Sequence, residues 1–594
     1  MTLHDLVSQV IINTKGSADG SFFSITADSS LALFAPELLL CLTVLLMLFV
    51  RLFEGGRKIN AFYIALAGSL LALYAAAPWE LLSGNADALV NKGRVEIFTG
   101  MLVFDSFSVF MRSMLLLFAA LFVIFTKLTG IPDHEDGPDI YSLVLGSTLG
   151  MCLMTSANHL MMVFMAVEMA SVPSYVLAGI MKGKRKSSEA ALKYAIYGAG
   201  AAGVMLYGIS LLAGLLNTAH LPTIALRLAE KMPTFSGSEM MVLSFAGMML
   251  GVGLAFKLSA FPFHFWAPDV FEGATAEVGA FLSIASKAAA LALLVRVVLG
   301  IGAIPVKSIE PGAAAAPQAV VVEADTYHVA HMADAEATTE KPVVSDADRS
   351  KALQSVRMFI AKLVAFFAII TCTFGNLAAY GQTNIKRMFA YSTIAHAGYM
   401  LMAIAGLMAI VGTDTKAAQN AVSALGIYLV IYLFMNLAAF ACVAFLRNAL
   451  RTEEIADYAG LVRKLPLTVI CFCLVLFALI GLPPLSGFIG KFAIFASLAE
   501  CYLLLQKSDA GAGFLLVTLV AGGLNSAISL FYYLRVAKVM TIDEEPEDRR
   551  PFVFSDVSLS GAFLWLLVLP TVGLIVFWDG LSTLALAAAK NLFV

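Results

Sequence analysis

The stretch Phe261-Pro-Phe-His-Phe-Trp-Ala-Pro268 interrupts a long apolar segment of this sequence, and the stretch Gly481-Leu-Pro-Pro-Leu-Ser-Gly487 interrupts another. Proline lacks a backbone donor and clashes with the preceding helical turn, so a helix that runs through either stretch must open there. In lipid, an opened backbone is tolerated only where it is buried in protein or lines a wet cavity. The two stretches therefore predict broken membrane-spanning helices inside a helical bundle.

The sequence around these breaks has the composition of a membrane protein. Of its 594 residues, 60% are hydrophobic and 13% are charged, whereas soluble domains have roughly 45–50% apolar and 25% charged residues. Apolar runs recur along the chain, most of them near the length of about 20 residues that crosses a hydrocarbon core as a helix. The runs are Leu31–Val50, Ala61–Pro78, Ser106–Phe125, Tyr141–Ser156, Leu160–Ile180, Leu192–Leu216, Met240–Ala260, Val278–Leu299, Met358–Tyr380, Tyr391–Val411, Ala421–Leu446, Pro466–Leu505, Gly513–Leu534 and Gly561–Trp578. They predict an all-α polytopic membrane protein with about 14 transmembrane helices.

The remaining composition argues against several other classes of protein. A net charge of −3 without a basic domain excludes nucleic acid as a partner. The seven cysteines are scattered, and the close pair Cys471 and Cys473 would point in different directions on a helix, so we expect no metal site and no disulfide framework. The first 30 residues are polar, so we expect no cleavable signal peptide.

Short basic loops predict the orientation of the chain. When the runs are numbered in order, the loops 51–59, 182–191, 381–388, 447–464 and 535–550 fall on one side, and they hold most of the loop Lys and Arg residues, including Lys182-Gly-Lys-Arg-Lys186. The positive-inside rule places this side in the cytoplasm. Both termini are then expected on the outer, periplasmic side of a bacterial inner membrane.

One long polar segment separates the eighth and ninth runs. Between 302 and 355 the sequence is rich in Ala, Val, Asp and Glu, which predicts a flexible insertion on the outer face. His328 and His331 within it have a spacing compatible with a metal, but no further ligands lie nearby, so we assign them no role.

The two broken spans are the seventh and the twelfth, and their spacing predicts an internal repeat. Because the two broken helices are five helices apart, an odd number, they cross the membrane in opposite directions. This arrangement is typical of inverted repeats. The alternative is that two proline kinks have this spacing by chance. The predicted organisation is an outer N-terminal segment 1–30, leading helices 31–127, a first five-helix repeat 140–300, the insertion 302–355, a second repeat 356–536, a cytoplasmic loop 537–558 and a C-terminal helix with its tail 559–594.

Several charged residues fall inside the apolar runs. A charge at the bilayer centre costs about 2.5–3.5 kcal/mol on translocon scales, so each requires a reason. Glu168 and Lys287 lie deep in the fifth and eighth runs, while Lys257 precedes the first break and Lys491 follows the second. Free carbonyls and water at the breaks could solvate the last two ammonium groups. We interpret the four residues as a proton pathway rather than as structural ion pairs.

A second group of residues is predicted to assist this pathway. Lys193, a short way into the sixth run, is either a snorkelling lysine or a functional partner of Glu168. Burial disfavours a charged lysine and a nearby carboxylate favours it, so movement within such a pair would alter its proton affinity. His264 and His396 titrate near neutrality when unperturbed and could connect the lysines through water, although interior histidines with purely structural hydrogen bonds are the alternative.

Four polar residues are left open on the sequence alone. Asp269 and Glu272 follow the first break and are interpreted as caps or cytoplasmic rim charges. Tyr432 and Asn436 in the eleventh run would line a second channel or make only interhelical hydrogen bonds.

Three segments carry a family resemblance. They are Phe256-Lys-Leu-Ser-Ala-Phe-Pro-Phe-His-Phe-Trp-Ala-Pro-Asp-Val-Phe-Glu-Gly273, Ile385-Lys-Arg-Met-Phe-Ala-Tyr-Ser-Thr-Ile-Ala-His-Ala-Gly-Tyr399 and Gly481-Leu-Pro-Pro-Leu-Ser-Gly-Phe-Ile-Gly-Lys-Phe492. With Glu168 and Lys193, they make the chain resemble the antiporter-like proton-pumping subunits of respiratory complex I, NADH:quinone oxidoreductase, and within them the N-subunit branch, subunit 2 in mitochondria. The insertion at 302–355 and Thr275-Ala276-Glu277 depart from the family pattern without touching the charged residues.

The resemblance implies a function and partners. Glu168 and Lys193 would be the modulating pair, Lys257 and Lys287 the central relay, and Lys491 the outer-half lysine. The chain would translocate protons without redox chemistry of its own, because NADH, FMN, iron–sulfur clusters and quinone would be bound by other subunits. Its partners would be other membrane subunits, antiporter-like and small helical ones, and the lipid bilayer.

Two rival functions share these sequence features. A subunit of a multi-subunit cation/proton antiporter would have the same repeat and lysines but would couple to sodium instead of electrons. An inert membrane anchor would use its buried charges only for helix association. Polypeptides that copurify with the chain distinguish the first rival, and neutral substitutions at Glu168 and Lys491 distinguish the second.

Overall fold

The computed structural model describes residues 29–53, 59–77, 93–131, 136–181, 183–304, 346–507, 511–547, 549 and 554–593. Within these ranges the chain is helical except for one two-stranded antiparallel hairpin. In chain order the elements are α1 (Ser30–Leu33), α2 (Ala35–Arg51), α3 (Ala61–Ala76), β1 (Val95–Ile97), β2 (Leu102–Phe104), α4 (Ser106–Thr129), α5 (Gly137–Ser156), α6 (Leu160–Ala178), α7 (Arg185–Leu216), α8 (Leu221–Lys231), α9 (Gly237–Leu258), α10 (Trp266–Gly273), α11 (Ala276–Ser283), α12 (Ala285–Gly302), α13 (Asp346–Ala379), α14 (Ile385–Ile410), α15 (Thr415–Leu450), α16 (Pro466–Ile480), α17 (Ser486–Lys507), α18 (Gly513–Thr541), α19 (Leu559–Gly573) and α20 (Trp578–Lys590). Short 3₁₀ turns lie at Met232–Thr234, Ile455–Tyr458, Leu461–Arg463 and Asn591–Phe593.

The predicted polytopic helical membrane fold is confirmed. Ten helices in the described ranges are long and apolar enough to cross a membrane, and the pair α19 and Trp578–Phe593, bent by 83°, makes an eleventh if it is one span. Helices α2 and α3 contain 17 and 16 residues and are shorter than a typical span.

Polar residues at the edges of the apolar runs fix where several helices begin. The Asp105 carboxylate accepts a hydrogen bond from the Ser108 backbone N–H at 2.8 Å, and Ser108 Oγ returns one to Asp105, which makes a capping box at the start of α4. Ser236 and Glu239 make a second capping box at the start of α9. Such caps satisfy backbone donors that a helix leaves unpaired at its first turn.

Both proline-rich stretches break their helices. The first break lies between α9 and α10, and the second between α16 and α17. A third interruption separates α11 from α12 at Ile284, where the sequence has no proline. It lies three residues before Lys287, and the sequence did not predict it.

The two ends of the bundle differ in chemistry. At one end, the Phe98 backbone N–H donates to Ser30 Oγ at 3.4 Å, and Asn591 Nδ2 donates to the Gly93 carbonyl at 3.5 Å. The first and last described residues therefore lie at the same end. The opposite end carries basic loops, and there Lys186 Nζ lies 2.9 Å from Glu272 Oε1.

Two buried ion pairs join helices inside the bundle. Arg112 Nη1 lies 3.1 Å from Glu37 Oε2, which connects α4 to α2. Arg296 donates to both carboxylate oxygens of Asp105, at 2.5 and 2.7 Å, and to the Thr155 carbonyl. Such pairs fix helix positions, and loss of one partner leaves a buried charge uncompensated.

Two boundaries differ from the prediction, and one helix was not predicted. Helix α13 begins at Asp346, so the last part of the predicted insertion 302–355 is helical. The first 28 residues, the segment 305–345 and, with it, His328 and His331 lie outside the described residues. Helix α18 continues to Thr541, into the predicted loop 537–558. An additional amphipathic helix, α8, packs against α12 and α13 between two spans.

Candidate functional site

Lys257 is buried in the last turn of α9, just before the first break. Its side chain is 2% exposed, and its Nζ donates to Ser171 Oγ on α6 at 2.9 Å. After the break, Trp266 Nε1 donates to the Phe256 carbonyl at 3.1 Å and its ring stacks on Tyr194 with centroids 4.3 Å apart. Aromatic side chains thus pack against the backbone at the break, and Lys257 stays buried in the interior.

Glu168 lies in the middle of α6, one turn before Ser171. It shares with Lys257 a small cavity of about 10 Å³ that is also lined by Ser171 and Tyr175, close to the volume that one water requires. The two charges interact electrostatically across this space. Glu168 is only half-buried, and Met165 and Met169 beside it are exposed on the bundle surface. The predicted deep burial of Glu168 is therefore only partly correct.

Lys193 does not pair with Glu168, which corrects the predicted partnership. Its Nζ lies 2.7 Å from Asp269 Oδ2 and 2.8 Å from Glu189 Oε1. The physical reason is that α10, the helix after the first break, returns beside α7 and presents Asp269 to the lysine. The prediction used only the adjacency of the fifth and sixth spans in the sequence, which gave no sign that α10 would supply a carboxylate to Lys193.

Asp269 and Glu272 form the centre of an ion-pair cluster. Arg387 Nη1 lies 2.9 Å from Asp269 Oδ1 and 2.8 Å from Glu272 Oε2. Burial would raise the pKa of the Asp269 carboxyl, but hydrogen bonds from Lys193 and Arg387 outweigh it and hold the pKa below its usual range. The same balance, with Lys186 and Arg387 as donors, lowers the pKa of Glu272. These residues are rim charges, as predicted, but they also hold Lys193.

Lys287 lies in the first turn of α12, directly after the interruption at Ile284. It is 2% exposed, and its Nζ donates to the Thr393 carbonyl on α14 at 2.8 Å. Thr393 and His396 are one turn apart on α14. Lys287, which contacts this turn of α14, therefore lies near His396.

His396 is surrounded by hydroxyl groups. Its Nδ1 lies 2.6 Å from the Tyr428 hydroxyl and its Nε2 3.2 Å from the Tyr533 hydroxyl, and Tyr533 in turn lies 2.5 Å from Ser392 Oγ. His396 interacts electrostatically with both Lys287 and Lys491. The direct partners of His396 are thus tyrosine hydroxyls, and its role as a connection between the lysines through water stays a prediction.

Lys491 lies on α17, just after the second break. Its Nζ donates to the Ile480 carbonyl at 2.8 Å and lies 4.5 Å from the centre of the Tyr399 ring. Ile480 is the last residue of α16, so its carbonyl is one that the break leaves without a helical partner. This is the solvation by freed backbone that the sequence predicts for Lys491.

His264 does not join this group. Its ring contacts Phe374 and Phe261, with centroids 4.3 and 5.4 Å away. Its Nδ1 is buried and has no hydrogen-bond partner in the described part of the chain. Among the described residues His264 has no hydrogen bond to a lysine, and its predicted connection through water stays a prediction.

Three lysine ammonium groups, called the lysine row below for their order along the chain, are buried in the bundle. Lys257, Lys287 and Lys491 are each 2–4% exposed, and each donates to a neutral oxygen. Across the described ranges, none of the three has a carboxylate within 4.0 Å. A buried charge without a counterion is costly in a low-dielectric interior, so a purely structural role explains these three lysines poorly.

Sequence reasoning missed the partners of these lysines. Ser171 is a polar residue in an apolar run, and such residues are too common to be singled out. Lys287 and Lys491 donate to backbone carbonyls, which every residue offers. The partners of His396, Tyr428 and Tyr533, were missed for the first reason. Asn436 was considered, and its Nδ2 donates to Ser283 Oγ at 2.7 Å, which links α15 to α11. Arg112 and Arg296 would have been found by the same search for charges inside runs that gave the lysines.

Comparison with known proteins agrees with this architecture. The family profile described as NADH:quinone oxidoreductase/Mrp antiporter, TM, matches residues 157–308 and 346–509. NADH-quinone oxidoreductase subunit N 2 of Sorangium cellulosum is 36% identical over 569 residues, which cover 93% of this chain and 95% of that protein.

Two solved structures have a similar fold. A chain in the structure of respiratory complex I from Thermus thermophilus with bound aureothin is 26% identical, with a TM-score of 0.64 over 92% of this chain and 97% of that one. A chain of the Mrp complex from Dietzia sp. is 16% identical with a TM-score of 0.69 over 94% of this chain and 97% of that one, which shows a shared fold alone. The profile match over more than half of the sequence and the identity to curated N subunits over nearly all of it show that the chain belongs to the NADH:quinone oxidoreductase/Mrp antiporter transmembrane family.

Proposed function

We propose that the chain is the N-type, proton-translocating membrane subunit of a NADH:quinone oxidoreductase. The observation that carries the proposal is the row of buried lysines, Lys257, Lys287 and Lys491, each held by a neutral oxygen and without a carboxylate partner in the described ranges. Such groups are expensive in a structural role but suited to exchanging protons. Similarity to proteins named NADH-quinone oxidoreductase subunit N supports the same assignment.

The proposed proton pathway follows the side-chain contacts described above, from the first broken helix to the second. Glu168 and Lys193 modulate the pathway separately, Glu168 through Lys257 and Lys193 through Asp269. Lys257 and Lys287 are the central relay, His396 with its tyrosine partners connects Lys287 to Lys491, and Lys491 serves the second half. We keep His264 in the proposed pathway, but only with water molecules connecting it to a lysine, because its ring contacts a phenylalanine.

We also propose fourteen spans arranged as two inverted five-helix repeats, 140–300 and 356–536, between leading helices 31–127 and a last helix in 559–594. Support comes from helices over all the predicted apolar runs and from breaks in the seventh and twelfth spans, each with a buried lysine beside it. The basic end of the bundle would face the cytoplasm of a bacterium and both chain ends the periplasm.

Partners and cofactors follow from the proposed role. NADH, FMN, iron–sulfur clusters and quinone would be bound by other subunits, and antiporter-like and small helical membrane subunits would flank this chain. The half-exposed Glu168 with the exposed Met165 and Met169 beside it supports a subunit or lipid contact at α6.

Copurification and ion dependence test this function directly. The tagged chain, isolated in mild detergent, is expected to bring down flavin and iron–sulfur proteins and to show NADH-driven proton uptake that is independent of sodium after reconstitution. Isolation with small antiporter subunits alone, together with sodium-dependent proton movement, would assign the antiporter function instead.

Neutral substitutions separate a proton pathway from a membrane anchor. We expect the variants Glu168→Gln and Lys491→Met to assemble and to lose proton transport, whereas Lys416→Met, at an exposed position on α15, keeps it. Loss of assembly in both variants with normal proton transport in the residual complex would indicate an anchor.

A further inference from the structure

A second polar site lies at the end of the bundle opposite the Asp269 cluster. A cavity of about 230 Å³ opens there between the hairpin, α12, α13 and the last residues of the chain. Three arginines, Arg94, Arg296 and Arg357, line it, together with Asn158 and Ser350. The lysine row that we assign to proton transport takes no part in it.

Among the described residues, only Arg296 of the three arginines has a carboxylate within 4.0 Å. Arg296 is paired with Asp105 through two hydrogen bonds, so its charge is neutralised. Arg357 is 4% exposed and donates to the Gly302 carbonyl at 2.7 Å and to Ser350, at 2.9 Å to Oγ and 3.2 Å to the carbonyl. All of these acceptors are neutral, and the described ranges offer Arg357 no carboxylate within 4.0 Å.

Arg94 adds a second uncompensated donor to the same cavity. Its Nη2 donates to Asn158 Oδ1 at 2.8 Å, while its buried Nε has no hydrogen-bond partner in the described residues. Burial and then the nearby charge of Arg296 lower the pKa of Arg94. Two acids interact electrostatically with Arg94. Asp105 is already bonded to Arg296, and Glu96 accepts from Asn158 Nδ2 at 2.9 Å and lies 3.0 Å from His220.

This arrangement has the chemistry of an oxyanion site. Guanidinium groups present a rigid fork of donors that matches the oxygens of a phosphate. An unpaired buried donor and a buried charge without a counterion are both costly, and a bound anion would remove both costs. We propose that the cavity binds a phosphate-type oxyanion between Arg94 and Arg357, supplied by the head group of an anionic phospholipid or by free phosphate.

The remaining lining is compatible with either source. Leu221, Leu299 and Phe593 add apolar lining to the cavity, which suits the glycerol and first methylenes of a lipid. The cavity is smaller than the roughly 300–1,000 Å³ of pockets for larger ligands, so a single phosphate group with its waters fits it better than a nucleotide. The cavity would bind such an anion whether or not the chain moves protons.

A thermal-shift titration of the delipidated complex that contains this chain tests the site. The probes are sodium phosphate against sodium chloride at equal ionic strength, and phosphatidylglycerol against phosphatidylcholine in mixed micelles. Phosphate also stabilises proteins by exclusion from their surfaces, so the variants Arg94→Gln and Arg357→Gln supply the comparison. Lys351→Gln is the matched control, since Lys351 is an exposed cation on α13 that does not line the cavity.

We expect a saturable rise in the thermal midpoint of the wild type and of Lys351→Gln, with an apparent affinity about tenfold weaker in each arginine variant. A response to phosphatidylglycerol alone assigns a lipid, and a response to inorganic phosphate alone assigns a soluble anion. No response to either probe, or equal responses in wild type and both arginine variants, overturns the proposal. If Arg357→Gln does not assemble, Arg94→Gln, whose side chain is only half-buried, decides the outcome.

Discussion

The Nζ atom of Lys193 lies 2.7 Å from Oδ2 of Asp269, on the short helix that follows the first break. Asp269 also holds Arg387, at 2.9 Å, so one carboxylate connects α7, α10 and α14 at the basic end of the bundle. Lys193 is therefore tied to the helix that follows the first break.

Removal of this carboxylate should release Lys193. In Asp269→Asn we expect a loss of about 1 kcal/mol or less in stability, since these pairs are partly exposed, and a clear loss of proton transport. Asp269→Glu should restore part of the transport. The control is Glu545→Gln, which removes an ion pair with Lys464 at the same end but away from Lys193. Equal transport in Asp269→Asn and the control would contradict the coupling.

Acid should weaken the Asp269 cluster. The pKa values of Asp269 and Glu272 lie below their usual range, so the folded state holds both acids ionised more strongly than the unfolded chain does. Their stabilising contribution is complete above the unfolded values of about 4 and is lost as the pH falls through the lower folded values. The thermal midpoint of the double variant Asp269→Asn/Glu272→Gln should fall less steeply below pH 4 than that of the wild type. Superimposable acid profiles would contradict this assignment.

The hydroxyl of Ser171 should matter more than that of its neighbour Ser174. Ser171→Ala removes the only oxygen that the structure shows bonded to Lys257 Nζ in the described residues, at a cost of about 1–3 kcal/mol. Ser171→Thr keeps the hydroxyl and should retain proton transport. Ser174→Ala removes a hydroxyl bonded to the Ala170 carbonyl one turn away and serves as the control. Proton uptake and thermal midpoints of the three variants check the prediction.

The buried pair of Glu37 and Arg112 should be structural. Glu37→Gln leaves a guanidinium uncompensated at a site that is 5% exposed, so we expect a loss of about 3–5 kcal/mol. The double variant Glu37→Leu/Arg112→Met should be much milder, because apolar replacements of a buried ion pair are often nearly neutral. Thermal denaturation of the complex in detergent measures both. A double variant as unstable as the single one would contradict this account.

The helices were predictable because lipid requires long apolar runs, and the start of α4 at Ser106 follows from the cap that Asp105 provides. The proline breaks were predictable for the same local reason. The interruption at Ile284 was not, because no proline or glycine marks it in the sequence. Amphipathic helix α8 was missed because its pattern is short and lies between two spans.

The buried lysines were predictable because a charge in an apolar run is conspicuous. Their partners were not, since hydropathy gives the depth of a residue but not the neighbour of its helix. Thus Lys193 was assigned to Glu168 from chain order, whereas the fold gives it Asp269. The same limit concealed the cavity of Arg94 and Arg357, whose lining comes from segments more than 250 residues apart in the chain.

Proton stoichiometry of a Lys257→Met variant tests the lysine row most directly. The variant complex would be reconstituted into vesicles beside Lys416→Met, and protons moved per NADH oxidised would be measured at matched turnover. Our account predicts an assembled Lys257→Met complex that moves fewer protons per NADH, while Lys416→Met keeps the wild-type ratio. The same ratio in Lys257→Met as in wild type would contradict it.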